Sequence, residues 1–398
     1  MRYTEDMSYK TFTCSIARRC GGCELLAVPY ELQLRRKHES MKELFAQVTE
    51  QDGATVEPVR GMQEPLAYRH KAATPFAPGS RATGNRMRCG FYERGSHRIV
   101  YCKECLVEAP EARSVLRDVA RIADELHISA YDEDRGRGVL RHAVVRVGYA
   151  TNDVLLTIVT NGSKLSHAAQ FVQRMRALHP RISSIVQNVN DRRTNAILGT
   201  HNHTLWGPGI MHDRLLGCEF EIGPTSFYQT NPEQTEVLYA LAIEGLGDAT
   251  SMLDAYCGTG TIGLCAARAK ECDLHIVGVE QVSNAVGCAR RNARANHVNN
   301  RCSFVCDDAT TWMAKQSAAQ FDAVVLDPPR AGSTPAFLEG VVGLAPKRVV
   351  YVSCNPVTQV RDLATLRDGG YRVERIVPVD LFPHTKHVET VVTCSRSA

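Results

Sequence analysis

From Phe220 onward, short apolar runs alternate with stretches of helical period. The runs at 251–254, 276–280, 302–306, 321–326 and 348–353 are strand-length and rich in β-branched residues, with helical stretches between them. This alternation predicts an α/β fold built on a doubly wound, mostly parallel sheet. Ahead of it, residues 54–215 read as β-rich. Val144–Val147 and Val154–Val159, split by Gly148 to Asp153, predict a hairpin. Strands are expected at 185–189 and 194–198, with helices over 111–126 and 166–178. Pro29 to Thr49 predicts one helix with the apolar stripe Tyr30, Leu34, Met41, Leu44, Phe45 and Val48. Arg35, Arg36, Lys37, His38 and Lys42 fall on or near its other side, solvated or able to meet phosphate. The pattern divides the chain into residues 1–215 and 216–398, with helix 29–49 free to pack on the second part.

Ligands of doubly wound sheets bind at the carboxyl ends of the strands. The polar residues there are Asp254, Glu280, Asp307 or Asp308, Asp327 and Cys354. After the first strand comes Asp254-Ala-Tyr256-Cys-Gly258-Thr-Gly260-Thr261-Ile-Gly263. Its glycines let the backbone turn sharply and come close to a ligand. The spacing also fits a dinucleotide fingerprint, but a carboxylate just before the glycines suits the ammonium of S-adenosylmethionine better than a pyrophosphate. Glu280, ending the next strand, stands where an acid holds ribose hydroxyls. Asp327-Pro-Pro-Arg330 ends another strand in an acid on a rim stiffened by proline. In amino-group methylases an aromatic often follows such prolines; here Arg330 does, which argues against attack by an exocyclic amine. Cys354 closes the following strand, where a partly exposed thiol can act as a nucleophile. Glu389, before the last strand, is a candidate base. His384 and His387 lie three apart, but no third metal ligand accompanies them. Pro224 to Asn231 is a polar loop, with Asn231 expected to cap a helix that has Pro232 in its first turn.

Composition adds a division of labour. Residues 1–215 hold 31 Lys and Arg against 23 Asp and Glu, and the remainder 16 against 20, so a basic front half precedes a mildly acidic back half. That asymmetry suits a polyanion-binding module beside a catalytic one. Basic residues at 68–71, 81–88 and 94–98 interleave with Phe76, Phe91 and Tyr92, a mixture that fits single-stranded RNA or, alternatively, surface arginines over core aromatics. No apolar run is long enough for a membrane span, and the N-terminus lacks a signal-like apolar stretch, so a cytoplasmic monomer is expected. With 15 cysteines in such a chain, metal ligation, catalysis or burial is expected before disulfides. Cys14-x5-Cys20-Gly-Gly-Cys23 is a tight thiol loop able to wrap a metal. Cys105 is the preferred fourth ligand, Cys102 and Cys89 are its rivals, and zinc and iron–sulfur remain open.

These motifs resemble the RNA uracil-C5 methyltransferase family, in particular its bacterial 23S rRNA members. The likeness runs from Cys14 to Val392. It includes the cysteine loop, Gly95-Ser-His-x-Ile-Val100 before Cys105, Phe227-Tyr-Gln229-Thr-Asn, the glycine turn, Asp327-Pro-Pro-Arg, Ser353-Cys354-Asn-Pro and His387-Val-Glu389. The resemblance implies a Rossmann-like methyltransferase sheet beside a β-rich α+β domain that carries a [4Fe–4S] cluster on Cys14, Cys20, Cys23 and Cys105. It implies S-adenosylmethionine as methyl donor, with Gln229, Tyr256, Thr261, Glu280 and Asp327 framing cofactor and base, and Asp307 or, preferably, Asp308 facing adenine. It implies Cys354 as the nucleophile at uracil C6 and Glu389 as the base at C5. The N-terminal β-barrel domain of many members is not expected, since only 13 residues precede Cys14. RNA grip would then fall to residues 1–215, with 23S rRNA the favoured target and tRNA the alternative. An RNA cytosine-C5 methyltransferase, a nicotinamide dehydrogenase and a non-enzymatic RNA-binding protein are the competing readings.

Overall fold

The computed structural model describes residues 10–270 and 274–396. Its C-terminal half is organised around a seven-stranded sheet. Across the sheet the order is Cys302–Cys306, His275–Glu280, Ser251–Ala255, Ala323–Leu326, Arg348–Ser353, Glu389–Arg396 and Tyr371–Val379. The first five are parallel; Glu389–Arg396 runs antiparallel to both of its neighbours. The five predicted strands are present, and their carboxyl ends share one edge. Both faces of the sheet are covered. Met252, Val325, Val350 and Val352 pack on one side with Ile262, Leu264 and Leu238, and Leu253, Val324, Leu326 and Tyr351 on the other with Phe337, Val341 and Leu363. Burial on both faces explains why these strands read as unbroken apolar runs.

The segment ahead of residue 61 joins this half. The predicted single helix is two, Tyr30–Leu44 and Ala46–Asp52, hinged at fully buried Phe45. Met41, Phe45 and Val48 share a core with the seven-stranded sheet. Val56 and Arg60 then bridge in parallel to Ile376 and Val379 on its edge strand. Lys37 departs from the expected basic face. It is buried, with its ammonium 2.7 Å from Asp380 Oδ1, while the Tyr30 hydroxyl donates to Oδ2 at 2.9 Å. A lysine within a polar run is thus a buried tether, because a carboxylate some 340 positions away neutralises it.

A six-stranded sheet occupies residues 71–206. Its order is Arg88–Cys89, Lys71–Ala77, Leu140–Val147, Val154–Thr160, Ile182–Val189 and His201–Trp206. The predicted hairpin is its centre, and helices Ala112–Glu125 and Ala168–Leu178 pack on one face through Leu116, Val119, Phe171 and Met175. The strand expected at 194–198 is absent. There Asn190 Nδ2 donates to the carbonyls of Ala196 and Ile197 and holds an irregular bend, and pairing resumes only at His201. A two-stranded ribbon, Met211–Leu215 with Cys218–Ile222, leads into the C-terminal half. The aromatics of the interleaved basic stretches are largely structural: Phe76 is buried, and Phe91 lies beneath the Arg113 guanidinium. The more exposed rings are Tyr101, Tyr149, Trp206 and Phe227. Among the described residues, no helix is long and apolar enough to cross a membrane.

Candidate active site

The glycine turn lies at the centre of the parallel edge. Gly258 and Gly260 have φ of 55° and 79°, left-handed values that glycine adopts freely. A Cβ on Gly260 would lie 2.8 Å from the Phe304 ring, whereas one on Gly258 meets nothing, so the open space for a ligand is beside Gly258. Tyr256 adopts φ of 61°, a strained value for a non-glycine residue, and its ring lies 4.9 Å from that of Phe337. Asp254 departs from the expected ligand contact: it is buried, and its Oδ2 accepts the Gly263 N–H at 3.0 Å. A Cβ at residue 263 would crowd that same oxygen at 2.9 Å, so the third glycine serves Asp254. Glu280 spans the mouth of the turn, accepting from the Gly258 N–H at 3.2 Å and the Val282 N–H at 2.8 Å. Thr261 opens the helix Thr261–Ala269 and shares a 3.1 Å hydrogen bond with the Tyr239 hydroxyl. Asp308 caps the short helix Ala309–Met313 by accepting the Thr311 N–H, and Asp307 pairs with Lys315 at 3.3 Å.

Asp254, Glu280 and Asp327 share one field. Burial pushes Asp254 up to about 7, with Asp327 and Glu280 adding repulsion, and burial alone lifts Asp327 to about 7. Such a pocket favours a cationic ligand and disfavours a pyrophosphate. S-adenosylmethionine, with its ammonium and sulfonium, fits this charge; a nicotinamide dinucleotide does not.

Cys354 and Glu389 meet because of strand register. Ser353 pairs with Thr390 across antiparallel strands, so the next residues outward, Cys354 and Glu389, emerge side by side. Cys354 is half-buried; its thiol is pushed up to about 11 by burial, then by Glu389 and Asp327. Glu389 is buried and raised to about 8, again first by burial and then by Asp327. Arg330 lowers both. Its guanidinium contacts His387 Nδ1 at 3.4 Å, and its carbonyl accepts from Asn355 Nδ2 at 3.0 Å. Arg330 thus belongs with this pair. The signal for it in the sequence was the double proline that fixes where the arginine begins.

The loop before Glu389 is locked from the N-terminal segment. His384 Nδ1 accepts from Gln33 Nε2 at 3.1 Å, and Nε2 donates to the Pro65 carbonyl at 2.9 Å. Both ring nitrogens are occupied, so the His384/His387 pair is not a metal site. Asn231 caps helix Pro232–Gly245 as expected, and its Nδ2 donates to the Leu381 carbonyl at 2.9 Å. The Phe227-Tyr228-Gln229 loop leads to that cap. Phe227 is 70% exposed, Gln229 is half-buried, and Tyr228 is tied to Asp213 at 3.3 Å.

Of the four expected cluster thiols, the other three act electrostatically on Cys23. Burial pushes Cys23 up to about 12, with Cys105, Cys20 and Cys14 all close enough to add to it. Of the rivals, Cys102 donates to the Glu104 carbonyl, and Cys89 belongs to the core of the six-stranded sheet. Among the described residues, however, no three or more His, Cys, Asp or Glu side chains are disposed to hold a metal ion.

Comparison with known proteins agrees with this geometry. Residues 212–397 match the tRNA (Uracil-5-)-methyltransferase family. An uncharacterized RNA methyltransferase of Halalkalibacterium halodurans is 42% identical, over 95% of this chain and 82% of its own length. One from Bacillus cereus is 39% identical over 99% and 85%. The crystal structure of Pyrococcus abyssi tRNA (uracil-54, C5)-methyltransferase in complex with S-adenosyl-L-homocysteine superposes with a TM-score of 0.77 at 29% identity, covering 94% of this chain and 85% of that one. A thiol and a carboxylate beside a glycine turn that suits S-adenosylmethionine, on a sheet matched along nearly its whole chain by these relatives, identify the protein as a member of the S-adenosylmethionine-dependent RNA uracil-C5 methyltransferase family.

Proposed function

We propose that this protein methylates C5 of a uridine in 23S rRNA through a covalent adduct between Cys354 and C6 of the base. The observation that carries the reading is the Cys354–Glu389 pair, set side by side at the edge that also bears the glycine turn. C5 of uracil is a weak nucleophile. The Cys354 thiolate adds to C6, and the C5=C6 electrons move onto O4 as an enolate. C5 then attacks the methyl carbon of S-adenosylmethionine, whose sulfonium leaves as a neutral thioether. Glu389 removes the remaining C5 proton, the double bond reforms, and the C6–S bond breaks to return the thiolate. A Glu389 raised to about 8 is suited to that proton transfer near neutral pH, and a uridine must leave its stack to reach the pair.

In this reading Gln229, Tyr256, Thr261, Glu280 and Asp327 line the donor site, and Asp308 faces adenine. Arg330 balances the charge of the Cys354–Glu389 pair. Residues 1–215 carry RNA binding and residues 216–398 carry methyl transfer, with the helices of 30–52 packed on the catalytic sheet. We read Cys14, Cys20, Cys23 and Cys105 as ligands of a [4Fe–4S] cluster, on the likeness of the cysteine loop and on the repulsion that Cys105, Cys20 and Cys14 exert on the Cys23 thiol. Such a cluster would tie the N-terminal loop to the segment at Cys105; the methyl transfer itself needs no electron.

The preference for 23S rRNA rests on the cysteine loop. The similarity to a tRNA (uracil-54, C5)-methyltransferase favours tRNA as the second reading. The test is incubation of anaerobically purified protein with labelled S-adenosylmethionine and, separately, unmodified 23S rRNA and tRNA, followed by nucleoside analysis. 5-Methyluridine in rRNA is expected. Label in tRNA alone overturns the target, and 5-methylcytidine overturns the role of Glu389.

A further inference from the structure

We propose that Lys71 and Arg146 form a subsite for a backbone phosphate of the RNA, between the six-stranded sheet and the loop that carries Gln229. This rests on the RNA methyltransferase reading and extends it to residues outside the catalytic edge. The two side chains sit directly opposite each other on paired antiparallel strands. Like charges so placed repel, and strand pairing normally avoids them. Arg146 is only 4% exposed, yet the one side-chain hydrogen bond it makes among the described residues runs from Nη2 to the Ser226 carbonyl, at 2.5 Å. Its Nε is buried without a partner. No carboxylate pairs with Lys71 or Arg146 among the described residues. Asp213, close enough to act on neighbouring His70, is taken up by the Ala150 N–H and the Tyr228 hydroxyl.

The position gives the pair its role. Arg146 is paired on its other side with Leu155, whose side chain belongs to the same core as Phe220 and Leu238 of the C-terminal half. Lys71 and Arg146 therefore face the catalytic half. The Ser226 carbonyl that holds Arg146, and the Thr230 carbonyl that accepts the His70 N–H at 2.8 Å, bracket exposed Phe227 and half-buried Gln229. The hydroxyl of Thr230 is likewise buried without a partner. An uncompensated buried charge is costly, and two together are more so. Burial, with Arg146 beside it, pushes the Lys71 ammonium down to about 8. A phosphate oxygen here would satisfy the orphaned Nε and offset both charges, fixing the strand whose uridine enters the adjacent site.

The test compares Lys71→Gln and Arg146→Gln with the parent by filter binding of 23S rRNA and of tRNA at several salt concentrations, with S-adenosylhomocysteine titrated in parallel. Lys71→Gln removes a repulsion and should be at least as heat-stable as the parent, so the proposal does not depend on Arg146→Gln folding. RNA affinity should fall about tenfold, and the slope of log K against log salt should become shallower by about 0.7–0.9 for each cation removed. Affinity for S-adenosylhomocysteine should stay within about twofold. Unchanged RNA affinity and slope in folded Lys71→Gln would overturn the subsite. Weakened S-adenosylhomocysteine binding with intact RNA binding would assign the anion to the amino-acid carboxylate of the cofactor instead. Binding is read without turnover, so failure of the parent to methylate either RNA would count against the methyltransferase reading and leave this result to be judged separately.

Discussion

Replacing Glu389 with Gln should make Cys354 more reactive while stopping the enzyme. The Cys354 thiol is displaced from 9.0 to about 11, and Glu389 is the largest cause after burial. Burial is the greater cause, and Asp327 adds to it while Arg330 opposes it; a change of one pKa unit, about 1.4 kcal/mol, is a tenfold change in thiolate. Glutamine keeps the volume and removes the charge. At any pH above about 8, where Glu389 is ionised in the parent, the variant's thiolate fraction should rise, about tenfold for each pKa unit by which the thiol falls, until the thiol itself titrates. The assay is the rate of iodoacetamide alkylation of Cys354 from pH 6 to 11, read by peptide mass. The variant's midpoint should lie below the parent's, and the two curves should converge below pH 7, where Glu389 is already protonated. With RNA and S-adenosylmethionine, the same variant should accumulate a protein–RNA adduct, because the step that frees Cys354 has lost its base. An unmoved alkylation midpoint would refute the electrostatic coupling, and full turnover would refute the assignment of the base.

Glu389 should also shape stability. Its folded value, about 8, lies above its ordinary 4.5, so its favourable contribution is complete below pH 4.5 and is lost as pH rises through 8. Ligand-free Glu389→Gln should therefore unfold at higher temperature than the parent at pH 8.5, by roughly 2–5 kcal/mol of stability, with the gap closing toward pH 5; calorimetry at the two pH values checks this. Gly260→Ala, which forces a side chain into left-handed backbone and against Phe304, should cost about 2–4 kcal/mol in denaturant titration and abolish S-adenosylhomocysteine binding. Lys37→Met leaves buried Asp380 unpaired and should cost about 3–5 kcal/mol, visible as a lower urea midpoint. Protein purified without oxygen should carry about four irons per chain, and Cys23→Ser should lose them together with the brown absorbance; iron-free but fully active parent protein would remove the cluster from the reading.

How much of this was legible in the sequence differs from one element to the next, for physical reasons. The parallel strands announce themselves because burial on both faces demands continuous apolar runs, and Glu280, Asp327 and Cys354 fall at strand ends because there the chain leaves the core. The glycine turn is legible because only glycine tolerates its backbone. Local pattern could not show which distant group would meet each side chain. Lys37 reads as one of five basic residues on a solvated face until Asp380 closes on it from the far end of the chain. Asp254 reads as a ligand group until the first turn of the following helix claims its carboxylate. The expected strand at 194–198 fails because Asn190 captures the carbonyls that a sheet would have used. Cys354 and Glu389 are separated by two elements in sequence, and only the antiparallel return of the last strand brings them together with Arg330. Periodicity and glycine placement, which act over a few residues, are thus written in the sequence, whereas charge pairing and burial depend on contacts between distant segments and were decided by the tertiary structure.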